Sequence, residues 1–182
     1  KYYSKPPYEV FSNKFISFGE LVKLKNLEKM LDYYYNSEKF SYTCDFVIKN
    51  NFDSAFTFFE KIADYYDKKG YLKISHKEVA LFNILYDFYV ENNLKDLDIF
   101  VEFLKYDYLA LGKPGSYPEW LKSNKDSELH NQLIKDSEFK SVREGHKNSE
   151  LEEFKYNIFT NKRENINIFF NYKTKKHEII FK

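Results

Sequence analysis

At 182 residues the chain is long enough for one core of ordinary size, and its 29 basic residues against 28 acidic ones provide no long-range field to draw in nucleic acid or an anionic membrane. Arginine, the usual tool of bidentate phosphate and base-edge recognition, stands only at Arg143 and Arg163, which further disfavours a nucleic-acid binder. The single cysteine, Cys44, excludes an internal disulfide and any all-cysteine zinc or iron–sulfur site within this chain, and fits a reducing cytoplasm.

Residues 1–14 lack helical periodicity, and Pro6 and Pro7 favour an extended entry segment. Ser17 with Glu20 forms a capping box and Ile16 with Leu21 a hydrophobic staple, which predicts a helix from there to about Tyr35, with Leu21, Leu24, Leu31 and Tyr35 on the core face. A shorter helix is expected from about Glu38 to Lys49. Asp53 then caps a helix that ends at Gly70 and buries Phe56, Phe59, Ile62, Ala63 and Tyr66. Ser75 with Glu78, flanked by Ile74 and Val79, repeats the box and staple ahead of Phe82, Leu85 and Tyr89.

A further helix from about Lys95 to Leu111 carries Ile99, Phe100, Phe103 and Leu104. Gly112 closes it in the left-handed conformation before Pro114 stops it. "GKPGSYPEW" reads as a loop with a turn of helix from Pro118, and residues 126–136 as an amphipathic helix around Leu129 and Leu133. From Gly145 the pattern changes to "FKYNIFT", "NINIFFNY" and "HEIIFK", three short strands rich in Ile, Phe and Tyr. The expected architecture is mainly α, a multi-helix bundle-like domain with a small C-terminal antiparallel β meander. Its divisions are an extended linker over 1–14, a helical domain over 15–144 and a β subdomain over 145–182.

Chemistry is harder to place. The aromatic content of 20% accompanies heavy use of Lys, Asn and Ile, residues with AT-rich codons, and so reads as core material. No stretch approaches the roughly 18 apolar residues of a membrane helix. The four histidines are isolated from one another; His146 with Glu150 has helical ligand spacing but weak helical surroundings. Cys44 lies among Phe40, Phe46 and Val47, as a buried and inert thiol would. Glycine-rich phosphate loops are absent, and the Asp96/Asp98 and Glu152/Glu153 pairs read as a helix first turn and a solvated strand start. "FLKYDYLALGKPGSYPEW" stands out because Asp107 sits near a helix end where the macrodipole disfavours a carboxylate. Either a loop backbone or a lysine such as Lys113 compensates it, or the loop forms a ligand-facing or docking surface anchored by Trp120.

"PPYEVFSNKFISFGELVKLKNLEKMLDYYYNSEKF", "FDSAFTFFEKIADYYDKKGY", "LKYDYLALGKP" and "PEWL" resemble, in this order, the C-terminal region that follows the catalytic part of a family of cobalamin-binding radical S-adenosylmethionine proteins. Those proteins are described as iron–sulfur oxidoreductases of anaerobic bacteria. The resemblance covers about residues 6–122, and the region it matches is a domain of unknown function. It implies that a cobalamin-binding domain and a radical S-adenosylmethionine barrel precede Lys1, the barrel's three closely spaced cysteines holding a four-iron cluster. The sole cysteine here departs from that ligand set, so no cluster, S-adenosylmethionine or cobalamin site and no catalytic residue carries over, and no cofactor is expected in this chain. The implied role is a non-catalytic accessory domain that packs beside the barrel to shape the substrate cavity or recruit a partner. Tyr8, Glu9, Asn36, Ser37, Tyr106, Asp107, Tyr108 and Trp120 are the candidate residues of that surface. The alternatives are a self-contained enzyme whose site assembles only in three dimensions, and a purely structural domain.

Overall fold

The structure, a computed structural model, describes residues 16–180. The expected extended linker over 1–14, with Tyr8 and Glu9, lies outside the described residues, as do the last two residues of "HEIIFK". Helices α1 (Phe18–Leu31), α2 (Ser41–Asn51), α3 (Ala55–Lys68), α4 (Glu78–Glu91), α5 (Leu97–Ala110), α6 (Ser127–Asp136) and α7 (Val142–Asn148) precede strands β1 (Ser149–Phe154), β2 (Ile166–Asn171) and β3 (Lys176–Ile180). The strands pair antiparallel in the order β1-β2-β3, with Glu150 opposite Phe170 and Ile168 opposite Ile179. The mainly α architecture with a C-terminal meander is therefore the one the sequence predicts.

The capping box of α1 forms as expected, the Glu20 N–H donating to Ser17 Oγ while Ser17 N–H donates to Glu20 Oε2 at 2.8 Å. Beyond Leu31 the helix widens into a π turn over Asp32–Asn36. Each residue of such a turn advances by less than an α-helical step, so the face rotates. In that turn Tyr34 is buried and Tyr35, expected in the core, is exposed; upstream of it, on α1 itself, Met30 is buried and Leu24, also expected in the core, is exposed. On α3 the cap is Ser54 rather than Asp53, its Oγ accepting from Thr57 N–H at 3.1 Å, and Phe56 is exposed while Phe59, Ile62, Ala63 and Tyr66 are buried.

The second capping box does not form. α4 starts at Glu78 behind an uncapped Lys77. His76 donates from Nε2 to Tyr71 O at 2.8 Å and its ring packs edge-on against Tyr33, Tyr66 and Tyr71, which holds the Ser75 region off a helical path; Glu78 pairs with Lys39 instead. Ile74 and Val79, the expected staple, are exposed. Phe82, Leu85 and Tyr89 are buried as the periodicity requires. Gly112 has a φ of 150°, a value L side chains rarely adopt and outside the left-handed helical region, so the closure expected there does not form. On α6 the buried residues are His130 and Ile134, each one position beyond the expected Leu129 and Leu133.

Aromatic pairs join helices α2 to α5. Phe46 of α2 stacks on Phe103 of α5 with ring centroids 4.6 Å apart, Tyr89 of α4 lies on Phe100 of α5 at 3.7 Å, and Phe58 of α3 meets Phe88 of α4 at 6.2 Å. The sheet has two covered faces. Phe154, Ile166, Ile168 and Phe170 on one join the same hydrophobic core as the helices, whereas Leu151 and Phe169 on the other lie on the side of α6, where His130 packs edge-on against Phe169.

The first strand differs most from expectation, since it is "SELEEF" and not "FKYNIFT". Residues after Phe154 turn instead, Asn157 Oδ1 accepting from the N–H groups of Phe159 and Thr160. Gly145, from which the sequence predicts the strand pattern, belongs to α7 and packs against Ile134 so closely that a Cβ would overlap its side chain. Propensity alone favours alanine over glycine in a helix by about 1 kcal/mol. Gly145→Ala should nevertheless destabilise the protein by about 1–3 kcal/mol in urea denaturation, because Ile134 is buried and β-branched and has nowhere to move.

Candidate functional site

Helix α5 is buried on every side from Phe103 to Leu109, a run that includes Lys105, Tyr106, Asp107 and Tyr108. A helix buried all round is ordinarily apolar all round, so each polar side chain here needs a partner inside the protein. Each finds one in a different element. Lys105 Nζ lies 3.1 Å from Glu152 Oε2 and donates to Glu153 O at 2.7 Å, both on β1. Tyr106 Oη and His177 Nδ1 on β3 are 3.1 Å apart. Asp107 Oδ2 accepts from the Thr43 N–H and hydroxyl of α2, at 2.8 and 2.7 Å, and Tyr108 donates to Ser116 O at 3.0 Å.

Asp107 therefore serves as the missing cap of α2. Phe40 precedes that helix and offers no side-chain acceptor, so a carboxylate sixty-four positions later in the chain satisfies an amide of its first turn. The compensation expected from Lys113 or a loop backbone is supplied by Thr43. Lys113 is engaged elsewhere, donating to Ser149 O at 3.0 Å and lying 3.6 Å from Glu150 Oε2.

Around Lys105 lies a polar network on β1 that sequence reasoning missed. Glu150 and Glu152, two apart on one sheet face, are buried at 3% and 0% exposure, not solvated. Lys125 Nζ is 2.6 Å from Glu150 Oε1, Ser123 donates to Glu152 Oε1 at 2.5 Å, and the Asn124 N–H donates to Glu152 Oε2 at 3.0 Å. The loop between α5 and α6 thus wraps the two carboxylates in cations and donors. Burial near these carboxylates pushes the hydroxyls of Tyr117 and Tyr172 far above the ordinary tyrosine range. One signal was legible: a lysine in the middle of an apolar helix requires a buried anion.

Buried histidine chemistry is present nearby but is not arranged for catalysis. His130 Nε2 is 2.9 Å from Ser149 Oγ. Ser149 donates its own proton to Gly145 O at 2.8 Å, so the imidazole supplies a proton to that bond and does not act as a base toward serine. Burial lowers the His130 pKa to about 4. Cys44 is buried, donates to Tyr34 O at 3.5 Å and has its thiol pushed up by desolvation, as an inert core thiol would. Among the described residues there is no group of three or more His, Cys, Asp or Glu able to hold a metal ion, and no helix long and apolar enough to cross a membrane.

Among the described residues, the candidates lie in separate places. Tyr106, Asp107 and Tyr108 are buried. Asn36 and Ser37 make local bonds to Asp32 Oδ1 and Tyr33 O at the π turn, and Asn36 lines a pocket that none of the others reaches. Trp120 borders a different and larger cleft, of about 770 Å³, between α5, the loop after it and the segment following β1. It stacks on Tyr86 with centroids 5.9 Å apart and donates from Nε1 to Asn83 Oδ1 at 2.9 Å.

Two consequences can be measured. Lys105→Met leaves Glu152 buried without its main cation and should cost about 3–5 kcal/mol in denaturation, while the double variant Lys105→Met with Glu152→Leu should recover most of that loss. Desolvation raises the Asp107 pKa to about 7 against the Thr43 bonds that oppose it. The unfolded aspartate titrates near 3.9. Between those values the folded state keeps a proton that the unfolded state releases, so Asp107 lowers stability as pH rises from about 4 to 7, by up to roughly 1.4 kcal/mol per unit, and no further above. His130, depressed to about 4, acts in the opposite sense over about 4 to 6.5 and masks the effect. The difference between wild type and Asp107→Asn isolates it: the variant should gain stability relative to wild type as pH rises through that window, and a difference independent of pH would contradict the assignment.

No curated protein and no solved structure matches the chain. A family model does, over residues 1–181, nearly the full length that carries the buried α5, the β1 carboxylates and the cleft. The chain therefore belongs to the family described as Protein of unknown function (DUF4080).

Proposed function

We propose that this domain is the non-catalytic C-terminal accessory part of a cytoplasmic cobalamin-binding radical S-adenosylmethionine protein, where it packs on the barrel and helps close its substrate cavity. The ordered sequence resemblance supports the parent. The observation that carries the docking role is an apolar groove of about 390 Å³ between α1 and α3, walled by Leu24, Leu27, Phe56 and Ala63 and bordered by Ile16, which directly follows residues 1–15. Leu24 and Phe56 are 48% and 59% exposed, large apolar side chains left outward on elements whose other faces are buried. Such grouped exposure marks a contact surface. The occupant is the upstream barrel of the same polypeptide, which the resemblance places on the N-terminal side, where Ile16 meets the groove. The iron–sulfur cluster, S-adenosylmethionine and cobalamin belong to that upstream part.

Two experiments test the reading. The intact natural reading frame, purified without oxygen, should show iron–sulfur and cobalamin absorbance; their absence would overturn the parentage. Leu24→Glu with Phe56→Glu should shift the melting temperature of the present chain by no more than about 3 °C, since both side chains are exposed. The same pair should abolish its co-purification with a separately expressed upstream part. Undiminished co-purification would place the contact elsewhere.

A further inference from the structure

The cleft beside Trp120 combines three features that the accessory role leaves unused. The first is an acceptor without a donor. Glu102 lines the cleft, and its Oε2 is buried with no hydrogen-bond partner among the described residues. Desolvation raises its pKa, while the charges of Lys105 and Lys155 and a bond from the Lys155 backbone pull the other way. A buried acceptor in this condition costs free energy until a donor reaches it.

The second feature is a pair of cations at the rim. Lys122 and Lys155 also line the cleft, are exposed, and take part in no salt bridge among the described residues. The other cations of the lining are already committed, Lys105 to Glu152 at 3.1 Å and Arg163 to Asp98 at 2.7 Å. The third is an aromatic wall, with Trp120 stacked on Tyr86 and Tyr156 also lining the space. The volume, about 770 Å³, is within the range of small-molecule sites.

We infer that this cleft binds a small zwitterion of the α-amino-acid class with an apolar side chain. Its ammonium group donates to Glu102, its carboxylate lies between Lys122 and Lys155, and its side chain rests on Trp120 and Tyr156. The internal carboxylate selects a donor-bearing cation, and the aromatic faces add to that preference. The rim lysines select against a bare amine. The inference stands on the cleft alone and does not depend on the radical-enzyme parentage.

Trp120 is the chain's one tryptophan, so its emission reports on this cleft. The protein is titrated with L-phenylalanine, phenethylamine and 3-phenylpropionate, exciting at the red edge where tyrosine does not absorb. L-Phenylalanine should change the emission saturably and bind at least about tenfold more tightly than either probe lacking one charge. Glu102→Gln, which keeps the side-chain shape, should weaken L-phenylalanine by about tenfold or more, with an unchanged far-ultraviolet circular dichroism spectrum. Lys122→Met with Lys155→Met should bring L-phenylalanine down to the affinity of phenethylamine. No saturable response to L-phenylalanine, or equal binding of all three probes, would overturn the inference, and the wild-type comparison decides it even if a variant fails to fold.

Discussion

The structure depends on how a fully buried helix disposes of its polar side chains. In α5 the residues from Phe103 to Leu109 are all enclosed, yet the run contains an ammonium, a carboxylate and two phenols. Left without partners, groups of this kind would cost several kcal/mol each. Successive residues of a helix point in directions about 100° apart, so their partners must stand on different sides. That requirement brings α2 to Asp107, β1 to Lys105, β3 to His177 at Tyr106, and the following loop to Tyr108. Apolar packing could accommodate small shifts of these elements, whereas hydrogen-bonded charges accept far fewer arrangements.

The balance of energies suggests what the network contributes. A buried ion pair stabilises a fold little relative to a well-packed apolar pair, because both charges are desolvated. Lys105 with Glu152, and Lys125 with Glu150, therefore act chiefly on which strand residues face α5 and the loop. A one-residue slip of β1 would turn Leu151 and Glu153 inward and carry Glu150 and Glu152 to the other face, away from Lys125 and Lys105. The aromatic stacks at Phe46–Phe103 and Tyr89–Phe100 supply the larger apolar term on the opposite side of the same helix.

Much of this fold was legible where local chemistry decides the outcome. The Ser17–Glu20 box, the buried stripe at Phe82, Leu85 and Tyr89, and the loop around Pro114 and Pro118 depend on neighbours close in sequence. Legibility ended where distant residues took over. Ser75 and Glu78 have the spacing of a cap, but His76 bonds to Tyr71 and Glu78 is drawn to Lys39. Glu152 and Glu153 read as a solvated strand start because they are acids side by side in the sequence, while Lys105, which neutralises Glu152, lies on a helix far earlier in the chain. Asp107 announced that it needed a partner, yet nothing local pointed to Thr43. The Trp120 cleft was reached only by its anchor, since Glu102, Lys122 and Tyr156 come from three separate segments.

The central claim is that α5 couples the sheet and the helical bundle into one cooperative unit. Native-state hydrogen exchange followed by mass spectrometry, on wild type and Lys105→Met, tests it most directly. On this account amides of α2, α5 and β1 open with a common free energy in wild type, and the substitution lowers protection in α2 and β1 together by the same amount. If β1 to β3 instead exchange at a much lower free energy while α2 and α5 retain full protection in both proteins, the sheet is an independent appendage and the claim is wrong.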